Sequence, residues 1–174
     1  MDTKAIEERD KHRAAIHEAA HLTATMALGG RARAFIWRAT EPVNTEEYSW
    51  LGQCQVLESP RGVNRRAVVG ISGLVGESLH EETDVDGRSI EEWVEMEIIE
   101  PSPTDWDCIT PSRLRLGTLA DRALHLLLTH KSFWEWAINQ LKEEGVITDG
   151  QAAEHFAAHN DFFSRPHSVN TAID

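Results

Sequence analysis

The chain has 174 residues, 41% of them hydrophobic, with six Trp, which fits one folded domain with a sizeable core and excludes a disordered chain. Lys and Arg number 17 against 29 Asp and Glu, and the resulting net charge of −12 argues against nonspecific nucleic-acid binding. Cys54 and Cys108 are too few for a disulfide framework, no apolar run is long enough to span a membrane, and the charged N-terminus lacks the apolar core of a signal peptide, so a cytoplasmic protein is expected.

The first helix is expected from Asp2 or Thr3 to Leu28, closed by a left-handed cap at Gly29-Gly30. Its first third is charged and reads as solvated. The rest, A-A-I-H-E-A-A-H-L-T-A-T-M-A-L at 14–28, carries no charge outside one motif and reads as buried. That motif is H-E-A-A-H, formed by His17, Glu18 and His21. A spacing of four puts both imidazoles on one helix face, where they make half of a tetrahedral Zn²⁺ site. Glu18 then stands beside the open position, where it can take a proton from an activated water. A buried His–Glu–His cluster in apolar surroundings is costly unless something satisfies it. A cation would do so; hydrogen-bonded core His with a salt-bridged Glu is the structural alternative.

Arg31 to Thr40 is a strand candidate with imperfect alternation, and Glu41 to Glu47 reads as a loop. Tyr48 to Leu57 alternates better, with Trp50, Cys54 and Val56 on one parity and Gly52 marking a bulge or a close approach. After a turn at Ser59 to Gly62, a second buried helix is expected from Asn64 to about Glu81. Gly70, Gly73 and Gly76 recur along it every three residues, which implies that another backbone packs closely on that face. Residues 81–100 carry nine carboxylates and read as a solvated acidic face; a calcium loop starting at Glu82 fails because Trp93 stands where its bidentate Glu belongs. A short helix is expected from Ser89 to Ile99, capped by Ser89 and Glu92. Pro101 to Asp107 starts another helix, which Pro111 resets. Further helices are expected at Ser112 to Thr129, Ser132 to Glu144 and Thr148 to Ala158. The fold class is therefore mainly α with a small two- or three-stranded sheet, α+β, in one domain over 1–158, followed by a loose tail at 159–174.

A catalytic zinc needs a third protein ligand. Leu22 to Gly30 contains no Glu, and Ala24 and Ala27 stand where the extended H-E-x-x-H-x-x-G-x-x-H pattern needs Gly and His. The third ligand must come from a distant carboxylate, His or Cys.

In order, these segments resemble the peptidase domain of the FtsH-type zinc metalloproteases. In that family an H-E-A-G-H helix precedes a hairpin-like segment, a helix with a G-G-x-x-A-E signature, and a G-A-x-N-D-L stretch whose Asp ligates zinc. Here H-E-A-A-H at 17–21 precedes two strand candidates, S-G-L-V-G-E at 72–77 and S-P-T-D-W at 102–106. L-K-E-E-G-V-I-T-D-G at 141–150 is similar to the family's helix–turn–helix ending. The resemblance covers most of 10–158 and implies a zincin-like helical metallopeptidase domain with Asp105 as third ligand. Asp107, Cys108 and His80 are the competing ligands, and Glu77 is either a group that holds a ligand His or the partner of an Arg. The chain departs from the family at Ala20, at S-P-T-D, and in having no G-x-x-x-x-G-K phosphate loop, so it is similar to a stand-alone domain without the ATPase module.

The activity this implies is zinc-dependent, ATP-independent hydrolysis of peptides or flexible protein segments, with Glu18 as general base and one of the strands holding the substrate by strand addition. Nucleic acid and membrane are not expected partners; self-association stays open. The alternatives are a metal-stabilised regulatory domain without turnover, or an antirepressor-like protease with one dedicated partner. Cys54 is expected in the core, His125 and His130 in the core or an interface, and His155, His159 and His167 on the surface.

Overall fold

A computed structural model describes residues 3–40, 49–81 and 84–164. In chain order the elements are α1 (Thr3–Ala27), β1 (Arg31–Arg38), β2 (Trp50–Glu58), α2 (Val63–Glu81), α3 (Gly87–Glu95), α4 (Pro103–Ile109), α5 (Leu116–Thr129), α6 (Lys131–Glu144), β3 (Val146–Ile147) and α7 (Asp149–Ser164). The described residues are thus mainly helical with one small antiparallel sheet, an α+β arrangement. None of these helices is long and apolar enough to cross a membrane. The loop expected at Glu41 to Glu47 lies outside the described residues, as do the first two positions of the acidic turn and the last ten of the chain.

The centre of the fold is α1, which packs against α2, α6 and both long strands. Its buried face is built largely from Ala15, Ala19, Ala20 and Ala24. Such small side chains let neighbouring backbones come close. The same choice explains the weak alternation of β1. Its inward residues are Ala32, Ala34 and Ile36, so two of the three carry only methyl groups, which contribute little to a hydrophobic pattern. Gly29 adopts φ 82° and ends α1 as a left-handed cap.

The sheet order is β2-β1-β3, which leaves β2 as an edge strand. Its pairing with β1 runs from Arg38↔Trp50 to Arg31↔Glu58, with an irregularity between Arg31 and Ala32. Gly52 pairs regularly with Ile36, so it marks no bulge. The two-residue β3 has no counterpart in the sequence reading. It follows Gly145 at φ 74°, and Ile36 N donates to Gly145 O at 2.8 Å.

Four local expectations are corrected. The first third of α1 is not wholly solvated: Asp10 is buried and accepts from Ser49 N and Ser49 Oγ, each at 2.9 Å. Asp86, not Ser89, caps α3, accepting from Ser89 N at 2.7 Å, and the helix ends at Glu95 rather than Ile99. An Asx cap outcompetes a Ser one residue-turn later because the carboxylate reaches two donors, Ser89 N and Ser89 Oγ. After Pro111, α5 starts at Leu116 rather than Ser112, whose hydroxyl instead accepts from Leu114 N. Finally, α7 continues to Ser164, past the expected end at Ala158.

Replacing Asp86 by Ala should lower stability, and Ser89→Ala should lower it by less. Chemical denaturation of both variants checks the order; the reverse order would return the cap to Ser89.

Candidate metal centre

Packing of α1 and α4 on α2 assembles the site. The two helix-borne imidazoles of α1 point at α2 where Gly73 offers no side chain. A Cβ at Gly73 would lie 2.5 Å from His21 Nε2 and 2.6 Å from His17 Nε2. Gly70 does the same for α4: a Cβ there would lie 2.8 Å from both Asp105 O and Cys108 Cβ. At Gly76 it would meet the Ala20 methyl at 2.8 Å. The glycine repeat therefore serves close approach, as expected, although at Gly73 the approaching group is a pair of side chains.

His17 Nε2 and His21 Nε2 lie 2.9 Å apart. Asp105 Oδ1 is 3.2 Å from His21 Nε2, and Asp105 Oδ2 is 3.7 Å from His17 Nε2. Two nitrogens each about 2.0–2.1 Å from a tetrahedral ion stand roughly 3.3–3.4 Å apart, within the spread seen here. Among the described residues, these three form the one group of three or more His, Cys and carboxylates whose donor atoms are close enough to hold a metal ion together.

The other ring nitrogens fix the tautomers. His21 Nδ1 faces the Val69 carbonyl oxygen at 2.7 Å, an acceptor only, so Nδ1 carries the proton. His17 Nδ1 donates to Glu77 Oε1 at 2.6 Å. Both neutral rings thus turn bare Nε2 lone pairs toward each other and toward a carboxylate. Such a convergence needs a cation or a proton between its members. Without a metal ion, the proton goes to His17. Burial disfavours its charged ring, but Asp105 and Glu77 outweigh burial and raise its pKa to about 10. Burial likewise opposes the ionised Asp105, and the two imidazoles more than offset it, holding that carboxyl well below the usual range.

Both sequence readings of Glu77 meet in one carboxylate. Oε1 accepts from His17, and Oε2 accepts from Arg13 Nε at 2.6 Å. Burial would raise the Glu77 pKa, but His17 and then Arg13 lower it. Asp105 also divides its oxygens. Ser102 caps α4 in a capping box, its hydroxyl donating to Asp105 Oδ2 at 2.7 Å, while Oδ1 faces His21.

Glu18 is 7% exposed and lies against Gly52 of β2, where a Cβ would come within 2.7 Å of Glu18 Oε1. Gly52 thus marks a close approach, by a side chain. Burial raises the Glu18 pKa; the imidazoles and the Cys54 backbone N–H pull the other way. His17, Glu18, His21 and Asp105 all open onto one cleft of about 360 Å³, walled by Gly52, Gln53, Cys54 and Val56 of β2 and by residues of α2 and α4.

Of the competing ligands, Cys108 lines this cleft but does not belong to the ligand group, and Asp107 is exposed. His80 meets His12 instead. Cys54 is half-buried, packed against the core and lining the cleft; burial, Glu18 and Asp105 push its thiol well up. His125 is exposed, against expectation, and His155 stacks on Trp136 at 4.0 Å. His130 is half-buried beside Phe156, His159 is half-buried too, and His167 lies outside the described residues.

Sequence reasoning missed Ser102, Arg13 and the Val69 carbonyl. Ser102 was readable as the start of S-x-x-D, and Arg13 stands four residues before His17 on the helix. The Val69 carbonyl has no side-chain signal. No protein-family model matches the chain, and no curated protein matches it either.

Gly73→Ala should retain the fold, since Ala favours helix, yet cut metal affinity roughly tenfold or more. Equilibrium dialysis with far-UV circular dichroism checks both. Because an ion displaces the His17 proton, affinity should rise roughly tenfold per pH unit between pH 7 and 9. In chelator-treated protein the same proton stabilises the fold, since the folded pKa of about 10 exceeds the ordinary 6.5. That contribution is complete below pH 6.5 and is lost as pH rises through about 10. Melting curves should show a loss on that rise that is smaller in His17→Gln.

Proposed function

We propose that the chain is a zinc-dependent peptidase. The observation that carries this reading is the buried Glu18 beside two imidazole lone pairs and a carboxylate, all opening onto a cleft bounded by an edge strand. The donor set suits zinc: two neutral His and one carboxylate are a catalytic ligand set that keeps a coordination position open, whereas a structural site takes four protein ligands. That count of ligands supports turnover over a purely structural role.

His17, His21 and Asp105 would hold the ion. Bound there, Zn²⁺ would make water acidic enough to attack at neutral pH and would polarise a carbonyl. Glu18 accepts the proton of the attacking water on its carboxylate and passes it to the leaving amine. Its raised pKa suits a group that must both take and return a proton near neutrality. Glu77 and Val69 O hold the rings so that both Nε2 atoms face the cleft.

The substrate class follows from β2. Among the described residues no strand pairs with its outer edge, and residues 52–54 line the cleft. An extended peptide can add there as a further strand, with its scissile bond near Glu18. A cleft of about 360 Å³ admits an extended segment but not a folded domain, so peptides and flexible segments are the proposed substrates. This mechanism is the one implied by the resemblance to the FtsH-type peptidase domain.

Glu18→Gln should keep the zinc held by His17, His21 and Asp105 and lose roughly 10²–10⁴-fold in peptide hydrolysis. Asp105→Ala should lose both that tightly held zinc and activity. Metal analysis alongside cleavage of a quenched fluorescent peptide library decides it: undiminished activity in Glu18→Gln excludes the base, and undiminished zinc in Asp105→Ala excludes the ligand.

A further inference from the structure

A second pair of imidazoles meets outside the cleft. His12 of α1 and His80 of α2 bring their Nε2 atoms to 2.7 Å. Their ring centroids lie 4.6 Å apart at an interplanar angle of 74°. His17 and His21 have the same separation, 4.6 Å, and the same angle, 74°. The pair arises from antiparallel packing of the two helices. Moving away from the metal centre, His21 meets Val69, His17 meets Glu77, Arg13 meets Glu77, and His12 meets His80.

A hydrogen bond between two neutral rings is a poor account of this contact. His12 Nδ1 is buried with no hydrogen-bond partner among the described residues. If His12 donates from Nε2, its Nδ1 is a buried bare lone pair; if it accepts there, Nδ1 is a buried N–H without an acceptor. Either tautomer strands one group to make one ordinary bond. A cation on both Nε2 atoms leaves Nδ1 as the same buried N–H, but it gives both rings a stronger partner than one hydrogen bond between neutral rings. Burial, then Lys142 and His80, lower the His12 pKa, which keeps the ring in its neutral, ligating form. His80 is exposed and gives an ion access from solvent, through the recess that both imidazoles line.

We propose that His12 and His80 form a second metal site, for a borderline divalent cation such as Zn²⁺, Ni²⁺ or Cu²⁺, that clasps the N-terminal half of α1 to the C-terminal end of α2. Imidazoles suit these ions, and water completes the coordination. With fewer protein ligands, this site binds more weakly than the cluster of His17, His21 and Asp105. Occupancy stabilises the fold, because the unfolded chain does not hold rings 68 residues apart together. The inference does not depend on the peptidase reading.

Calorimetric titration of Zn²⁺ into chelator-treated protein, with melting temperatures read at each stage, tests it. The wild type should take up two equivalents of distinct affinity, and the second should raise the melting temperature further. His80→Gln, at an exposed position, should take up only the tighter equivalent and lose the second rise. Asp105→Ala should lose the tighter equivalent and keep the weaker. Saturation of the wild type at one equivalent, or two equivalents in His80→Gln, overturns the second site; weaker uptake kept in Asp105→Ala without hydrolysis by the wild type would instead sink the peptidase reading alone.

Discussion

The site depends on how closely α1 and α4 can approach α2. Three glycines a turn apart on α2 leave a channel along that helix, and each is filled by a different neighbour: the Asp105 backbone and Cys108 at Gly70, the two ligand imidazoles at Gly73, the Ala20 methyl at Gly76. Each glycine costs helix stability, up to about 1 kcal/mol relative to Ala. The compensation is geometric. A single methyl at Gly73 would occupy the space where both Nε2 atoms stand. Ala20 belongs to the same arrangement, since its methyl needs the bare backbone at Gly76 opposite.

Around that channel, charge is arranged so that no buried ionisable group stands alone. Arg13 neutralises Glu77, Glu77 orients His17, and His17 and His21 face Asp105. An uncompensated buried charge costs several kcal/mol, so a carboxylate placed opposite two inward-facing lone pairs is tolerable only with a cation or a proton among them. Asp105 reconciles two demands because it stands in the first turn of a short helix. Oδ2 closes the capping box with Ser102 and also faces His17, and Oδ1 is left for His21. Glu18 is set apart from this balance. It faces β2 across Gly52, which leaves its carboxylate buried yet open to the cleft.

The α1–α2 pair has a consequence beyond one site. Beside the His17–His21 pair within α1, the seam between the antiparallel helices holds one imidazole-on-imidazole contact, His12 on His80, with the same ring separation and angle. The inner pair is joined by a carboxylate from α4 and lies in a cleft; the outer pair opens to solvent. Ligand number and access thus separate a strong centre from a weaker clasp on the same scaffold.

Much of this was legible in the sequence because it is local. The 3.6-residue repeat fixes His17 and His21 on one face, Gly29 and Gly145 stop helices with positive φ, and a regular glycine repeat announces a tight helix face. Asp105 was reached through ordered motifs, and its carboxylate lies with both imidazoles in a group that could hold a metal ion. The sequence could not show which partner fills each glycine, that the Val69 carbonyl sets a tautomer, that Asp10 is buried, or that Val146 and Ile147 complete a sheet. Methyl-lined β1 hid its own alternation, and α3 began at Asp86 because a carboxylate reached two donors. The sequence by itself determined the chemistry available, two imidazoles and a carboxylate a turn apart on one helix. Only the tertiary structure decided that Asp105, Glu77 and His80 come to that helix from elsewhere, because the free energy of close packing and paired burial is shared among segments distant in the chain.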